Sequence, residues 1–535
     1  MARSRVDLLI AALVVHSSVA AVQSESFGPE TKSARDNAPA IFNAVHNAMR
    51  EFGSALHHNG MSLFPAEVSE GVRLYHGTTS QRTPSGPEWL AFEVEHAQSF
   101  AHPPPSMGPS GDGGKGPPPL TPREKSLEHT FALRHAGRSL PPERNDPKKP
   151  AHGYLHIYET TRPVRVLYID GTSAGKTVMG TLDTQDYLLT GKPNRSLFEE
   201  WERASDLCRL ARMWDMDGFI RMEPGFEIVQ CNFTRGLKLV SVLQQPDAES
   251  SGPMKEQDME AFEWLRAASQ RYHGIGAARV RLDYSSMVSA FFYPVNLSNQ
   301  DAARPELPRL QQATSTELDS MRLHVANATI RSFAKVQDVV DWQGITDMIV
   351  SRYADRLQSL AEAESVNVFK SVLDSLLNVY IDYSEDDVDI DKALERCMSH
   401  YLARIKVQTL EDRLLFEAFK GTTSLICSAL FEARQCVVAK DFHSNQHALA
   451  CGHITAQNLI TCLAWSKWKE CGRCQSNEVC MVAMWPFGSV EDHYHPSCIN
   501  YTALRGRHGY WRTKYSPPHG GEDETKSLPG EIGEL

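Results

Sequence analysis

Apolar positions recur at helical spacing through Ile345, Met348, Ile349, Tyr353, Leu357 and Leu360, and again through Phe369, Val372, Leu373, Leu376, Leu377 and Tyr380. This period predicts two amphipathic helices. Thr409, three residues before Asp412, resembles a capping box ahead of a helix carrying Leu414–Phe419. Residues 254–445 therefore predict a helical domain, with no repeat of fixed period. Upstream the pattern changes. Short apolar runs at Val72–Tyr75, Tyr154–Tyr158, Arg165–Asp170, Gly218–Met222, Phe226–Cys231 and Leu237–Leu243 predict strands. Helices are predicted at Leu197–Arg212 and around Ile41, Val45, Met49 and Phe52. Residues 22–250 thus form a β-rich α/β domain, with Gln244–Pro253 as a linker. Residues 451–515 are rich in Cys and Trp and lack long periodic segments. The expected class is α+β: a β-rich N-terminal domain, an all-α middle domain and a small Cys-rich C-terminal region.

Two segments fall outside this patterning. Between Ala101 and Pro150 lie twelve of the thirty prolines, together with Gly-rich runs. Such a stretch cannot bury enough apolar surface to offset chain entropy, and it predicts a disordered insertion. At the N-terminus, Arg3 and Arg5 precede an apolar run from Val6 to Val15 and small residues at Ser18, Ala20 and Ala21. That order is a secretory signal peptide, here 1–21. No later stretch reads as a run of eighteen apolar residues, so no membrane association is expected after cleavage.

Secretion gives the cysteines their first meaning. Eleven cysteines in an oxidising compartment predict disulfides with one thiol left over. Cys208 and Cys231 stand apart from the C-terminal set and are candidates for pairing with each other. Asn194, Asn232, Asn296, Asn327 and Asn500 each open an Asn-X-Ser/Thr acceptor. The net charge of 55 − 66 = −11 argues against a nucleic-acid binder relying on a general basic surface. Part of that acidity lies in 516–535, an acidic tail predicted to be disordered.

Three motifs are weighed and set aside. Gly171-Thr-Ser-Ala-Gly-Lys176-Thr177 follows an apolar strand but spaces its glycines one residue too closely for a phosphate-binding loop. Asp387, Asp389 and Asp391 lack the glycine and glutamate of a calcium loop and favour the start of the next helix instead. Cys471-Gly-Arg-Cys474, with Cys480 and Cys498, has zinc spacing, yet in a secreted chain disulfides are preferred and no metal is expected. Trp465, Trp468, Trp485 and Trp511 could stack on glycans or supply the apolar mass of a small stapled region.

The remaining constellation carries the candidate chemistry. Leu74-Tyr75-His76-Gly77-Thr78 ends a strand; Glu88 to Phe100 runs from a short strand into a helix; Gly225-Phe226-Glu227-Ile228-Val229 puts a carboxylate inside an apolar strand. An acid there is unfavourable unless it meets water, a partner or a ligand. At these residues, over about 70–245, the chain resembles the ADP-ribosyltransferase superfamily on its diphtheria-toxin and poly(ADP-ribose) polymerase side. The resemblance implies an ADP-ribosyltransferase-like domain using nicotinamide adenine dinucleotide (NAD) as substrate. In it His76 would bond the adenosine ribose, and the Gly77 backbone would meet the nicotinamide amide. Trp89, with Phe92 as an alternative register, would stack on the nicotinamide ring, where the family usually has Tyr, and Glu227 would engage the nicotinamide ribose as the catalytic carboxylate. Phrases such as Leu167-Tyr-Ile-Asp-Gly171 and Val288-Ser-Ala-Phe-Phe-Tyr-Pro294 also resemble secreted, uncharacterised proteins of filamentous fungi.

Two functions are therefore expected to compete. One is a secreted glycoprotein that cleaves NAD, as an ADP-ribosyltransferase acting on a protein acceptor or as an NAD glycohydrolase. The other is a non-catalytic secreted protein that binds a cell-wall glycan or a surface protein through exposed tryptophans at the Cys-rich end.

Overall fold

In the computed structural model the residues described are 27–102, 152–246, 254–334 (less 272, 273 and 277), 340–384, 389–438, 445–504 and 507–511 (less 508). The expected signal peptide, nearly all of the 101–150 insertion, most of the 244–253 linker and the acidic tail lie outside them.

A ten-stranded mixed sheet organises the first half of the chain. After three short helices, α1 (Thr31–Asp36), α2 (Ala38–Asn47) and α3 (Glu51–Leu56), come β1 (Ser62–Val68), β2 (Arg73–Thr78), β3 (Glu88–Ala91) and the five-residue helix α4 (Val94–Gln98). Then follow β4 (Tyr154–Thr160), β5 (Val164–Ile169), helix α5 (Glu200–Met213), β6 (Gly218–Glu223), β7 (Gly225–Gln230) and β8 (Leu237–Gln244). Helix α6 (Met254–Arg271) leads to β9 (Val280–Leu282) and β10 (Val288–Ser289). The order is β10-β1-β5-β6-β7-β3-β2-β4-β8, with β9 also on β1. Only β5 and β6 run parallel; every other pairing is antiparallel.

Every residue of β6 and β7 is buried, as expected for central strands covered on both faces. Their connection is Pro224 alone, and Gly225 accepts φ +95°, a conformation that glycine adopts without a Cβ penalty. The sheet is weakly joined at one place. β2 and β3 share the single pair Tyr75↔Ala91, whereas β2 pairs with β4 from Arg73 to Thr78 and β3 with β7 from Glu88 to Ala91.

The predicted strands are all present, each with its ends shifted by no more than a few residues. Several features differ from expectation. No strand was expected over Ser62–Val68, and the helix Asn445–Leu463 runs well into the region expected to lack long periodic segments. Residues 280–289 return to the sheet and pair with β1, so the sheet extends past residue 250. Strands of three and two residues show no readable alternation. Helix α4 is shorter than the segment reaching to Phe100 suggests, because Ser99 to Ala101 turn out of it.

The second half is helical: α7 (Ser315–Ala334), α8 (Trp342–Ala361), α9 (Val366–Leu377), α10 (Ile390–Ser399), α11 (Leu410–Val438) and α12 (Asn445–Leu463). Asp389 caps α10 through the Lys392 amide, as the acidic run suggests. Thr409 Oγ1 accepts from the Asp412 amide, one half of the expected box. Helix α11 is long and apolar enough to cross a membrane, but 56% of that window is buried in the protein. It packs on α1, α2 and α12, with Phe42 of α2 5.2 Å from Phe419 and 5.7 Å from Trp465. The N-terminal helices thus share their core with the helical part.

Five disulfides are present: Cys208–Cys231, Cys397–Cys427, Cys436–Cys451, Cys471–Cys480 and Cys474–Cys498. Cys462 is the free, exposed thiol among the described residues. The C-terminal region, with β11 (Val479–Met481) paired to β12 (Ser497–Ile499), docks on the sheet domain. There the ring of His58 meets His493 at 5.3 Å and Trp511 at 4.9 Å.

Candidate functional site

The three strands that carry the sequence candidates are consecutive in the sheet, in the order β7-β3-β2. His76 and Trp89 lie on the two strands that are least continuously paired, and Glu227 lies one strand further on. Ala91 is the register partner of both Tyr75 and Glu227, so Trp89 and Glu227 share one face of the sheet and His76, next after Tyr75, is on the other.

His76 is 5% exposed. Its Nδ1 donates to the Trp89 carbonyl oxygen at 2.8 Å, which leaves Nε2 as the acceptor of a neutral ring. Nε2 is buried and has no partner. Burial, opposed by the Trp89 bond, pulls this imidazole down to about 4. Its neighbours are the rings of His156 at 5.8 Å and Phe233 at 5.7 Å. Trp89 is half-buried and edge-on to Trp201 at 4.7 Å. At Gly77 a Cβ would lie 2.0 Å from the Ala97 carbonyl oxygen. The glycine lets the end of α4 cross β2, a packing role that needs no ligand.

Glu227 sits across the β6–β7 hairpin from Arg221, its direct register partner. Arg221 places Nη2 at 2.7 Å and Nε at 3.2 Å from Glu227 Oε1. The same Nη2 reaches Glu200 Oε2 at 2.8 Å, and Nη1 reaches Gln185 at 3.1 Å. Next to this pair, Glu223 Oε1 is 3.0 Å from His96 Nε2, and the Lys176 ammonium lies 3.5 Å from Glu223 and 3.7 Å from Glu200. Arg203 closes the network on Asp186 at 2.8 and 2.9 Å. The Lys176 ammonium also rests 4.7 Å from the centre of the Trp485 ring. The loop set aside as a phosphate cradle therefore delivers a cation to a buried carboxylate cluster.

Electrostatics separates the two hairpin carboxylates. Burial raises the Glu227 carboxyl above its ordinary range, with Arg221 opposing and Glu223 adding to the rise. Burial acts on Glu223 too, but Lys176 and His96 outweigh it and hold that carboxylate low. Opposed shifts on adjacent acids are the arrangement that assigns one proton acceptor and one fixed charge. Glu88, on β3 beside Trp89, is pushed up to about 8 by burial. Glu51 is also raised by burial and lends Oε2 to the Gly225 amide at 3.1 Å.

Sequence reasoning found Glu227 and missed Arg221, Lys176, Glu200, Glu223 and His96. For Arg221 and Glu223 the signal available was charge inside an otherwise apolar strand. By donor type, His96, Glu223 and Glu227 could hold a cation, since their ligand atoms all lie within 4.8 Å of one another. Lys176 and Arg221 already supply positive charge to these carboxylates. Cys471, Cys474 and Cys498 also cluster, but their sulfurs are spent in disulfides. The tryptophans offer no stacking surface: Trp465, Trp485 and Trp511 are at most 5% exposed, and half-buried Trp468 stacks on Trp465 at 5.0 Å.

Residues 31–255 match the family described as the YPL277C N-terminal domain. Over 86% of this chain and 84% of the relative's length, the chain is 25% identical to the uncharacterised protein YOR389W of Saccharomyces cerevisiae. It is 32% identical to the uncharacterised protein YPL277C of the same yeast, over 39% of this chain and 43% of that one. No solved structure matches.

Proposed function

We propose that this chain is a secreted enzyme whose sheet domain binds NAD and cleaves its nicotinamide–ribose bond, passing ADP-ribose to a protein acceptor or to water. The five disulfides are consistent with an extracellular protein. The observation that carries the reading is His76 Nε2, a buried acceptor without a partner, on the strand beside that of Trp89, which pairs in turn with the strand of Glu227. A ribose hydroxyl is a fitting donor for it.

In the reaction, the bond from ribose C1′ to the nicotinamide nitrogen breaks and its electron pair leaves with neutral nicotinamide. Positive charge develops on the ribose, where a fixed carboxylate stabilises it more than the ground state. A lone pair from water or an acceptor side chain forms the new bond at C1′, and its proton passes to Glu227, whose raised proton affinity suits that role. Arg221 binds only Oε1 of Glu227 and keeps the group in place.

The test is nicotinamide release from NAD by the mature protein, beside Glu227→Gln of matched thermal stability. A fall of at least a hundredfold in the variant is expected. No release by either protein, with no NAD binding in calorimetry, would overturn the reading.

A further inference from the structure

A second site lies away from the sheet. A cavity of about 320 Å³ opens where α2–α3, α8 and the turn Ser466–Lys469 come together. Its charges largely cancel in place. Arg50 holds Asp347 through both terminal nitrogens at 2.8 and 2.7 Å, and Lys467 pairs with Glu470 at 2.7 Å. Burial lowers the proton affinity of His46, also on the wall, with Asp347 opposing.

What remains unspent defines the guest. Asn47 is 4% exposed; its Oδ1 accepts from Ser466 Oγ at 3.0 Å, while its Nδ2 is buried without an acceptor. Arg50 Nε is likewise buried and unpartnered. Opposite them, Asp355 presents a carboxylate from the exposed side of α8, and Phe52 contributes a half-buried ring. Two idle donors disfavour a cation. Three wall carboxylates, Asp347, Asp355 and Glu470, against the two cations Arg50 and Lys467 disfavour an anion. A hydroxyl both accepts and donates, and the C–H face of a sugar suits an aromatic ring.

We infer that this cavity is a binding site for a neutral, hydroxyl-rich ligand about the size of one hexose, held by Asn47, Arg50 and Asp355 over Phe52. The volume is at the small end of ligand pockets, ~300–1,000 Å³. A sugar there touches the N-terminal helices, the helical part and the Cys-rich end at once, so it ties the three together. The site does not depend on the NAD reading.

The experiment is isothermal titration of the full mature chain, enzymatically deglycosylated, with methyl α-D-mannoside, methyl α-D-glucoside and N-acetylglucosamine, and with sodium phosphate as the anionic probe. Two variants of exposed positions on α8 accompany it, Asp355→Ala and the cavity-filling Ser351→Trp, each checked for an unchanged melting temperature. Saturable binding of at least one sugar, weakened tenfold or more in both variants, is expected. No sugar binding, binding unaltered by the variants, or saturation by phosphate alone would each overturn the proposal.

Discussion

Arg221 Nη2 lies 2.7 Å from Glu227 Oε1 and 2.8 Å from Glu200 Oε2, so one guanidinium nitrogen bridges two buried carboxylates. Arg221 is 1% exposed.

Arg221→Met is therefore expected to lower stability by about 3–5 kcal/mol, the cost of stranding buried charge. Urea denaturation measures it. The double variant Arg221→Met/Glu227→Leu should recover part of that loss, because one stranded carboxylate is gone. If the double variant is worse by the sum of the singles, the pair is not coupled.

Gly77→Ala places its methyl against the backbone of Ala97 and Ala101, atoms that cannot rotate away. A loss of about 1–3 kcal/mol is expected from overpacking, together with lower nicotinamide release as β2 shifts. A melting temperature equal to the parent's would show that α4 yields readily.

Burial holds the imidazole of His493 down to about 3 and that of His58 well below its ordinary value. In the unfolded chain both take protons near pH 6.5; in the folded chain they do not. Each therefore contributes stability that is complete above about pH 6.5 and declines by ~1.4 kcal/mol per pH unit as the pH falls toward the folded value. Asp170 and Glu88, held by burial at about 7 and about 8, act in the opposite sense. The informative quantity is thus a difference: between pH 6.5 and pH 5, His493→Phe should gain about 2 kcal/mol on the parent. Parallel pH profiles would refute the linkage.

Asn194, Asn232, Asn296 and Asn327 are exposed and Asn500 is half-buried. Glycopeptide mass spectrometry of the protein secreted from a eukaryotic host should find glycans at the four exposed positions. Unmodified peptides at all four would show that these acceptors are not used.

Much of the sheet was legible because its strands are buried apolar runs bounded by turns. Val164–Ile169 and Gly225–Gln230 are two such runs. Strands β9 and β10 were not, since two or three residues cannot display a period and their pairing is decided by β1 far upstream. The site was half legible. Glu227 stands out as an acid in an apolar strand, and Arg221 could have been paired with it by counting outward from Pro224. Lys176, Glu200 and His96 reach the cluster from separate elements, and nothing local in the sequence links them. The Cys208–Cys231 bridge followed from isolation in the chain, whereas the C-terminal pairs are set by how those segments pack.

The shared core of the N-terminal helices and α11 bears on how the chain is made. Asn43 Nδ2 donates to the Leu463 carbonyl oxygen, a bond between residues 420 apart. At ~5–20 residues synthesised per second, on the order of 20–80 s separates the two ends of that bond. During that interval Ile41, Phe42 and Val45 emerge with no native surface to cover them, although the β-strands behind them can already pair. Translation order thus runs against assembly order: the helices α1 and α2 are among the last to find their place.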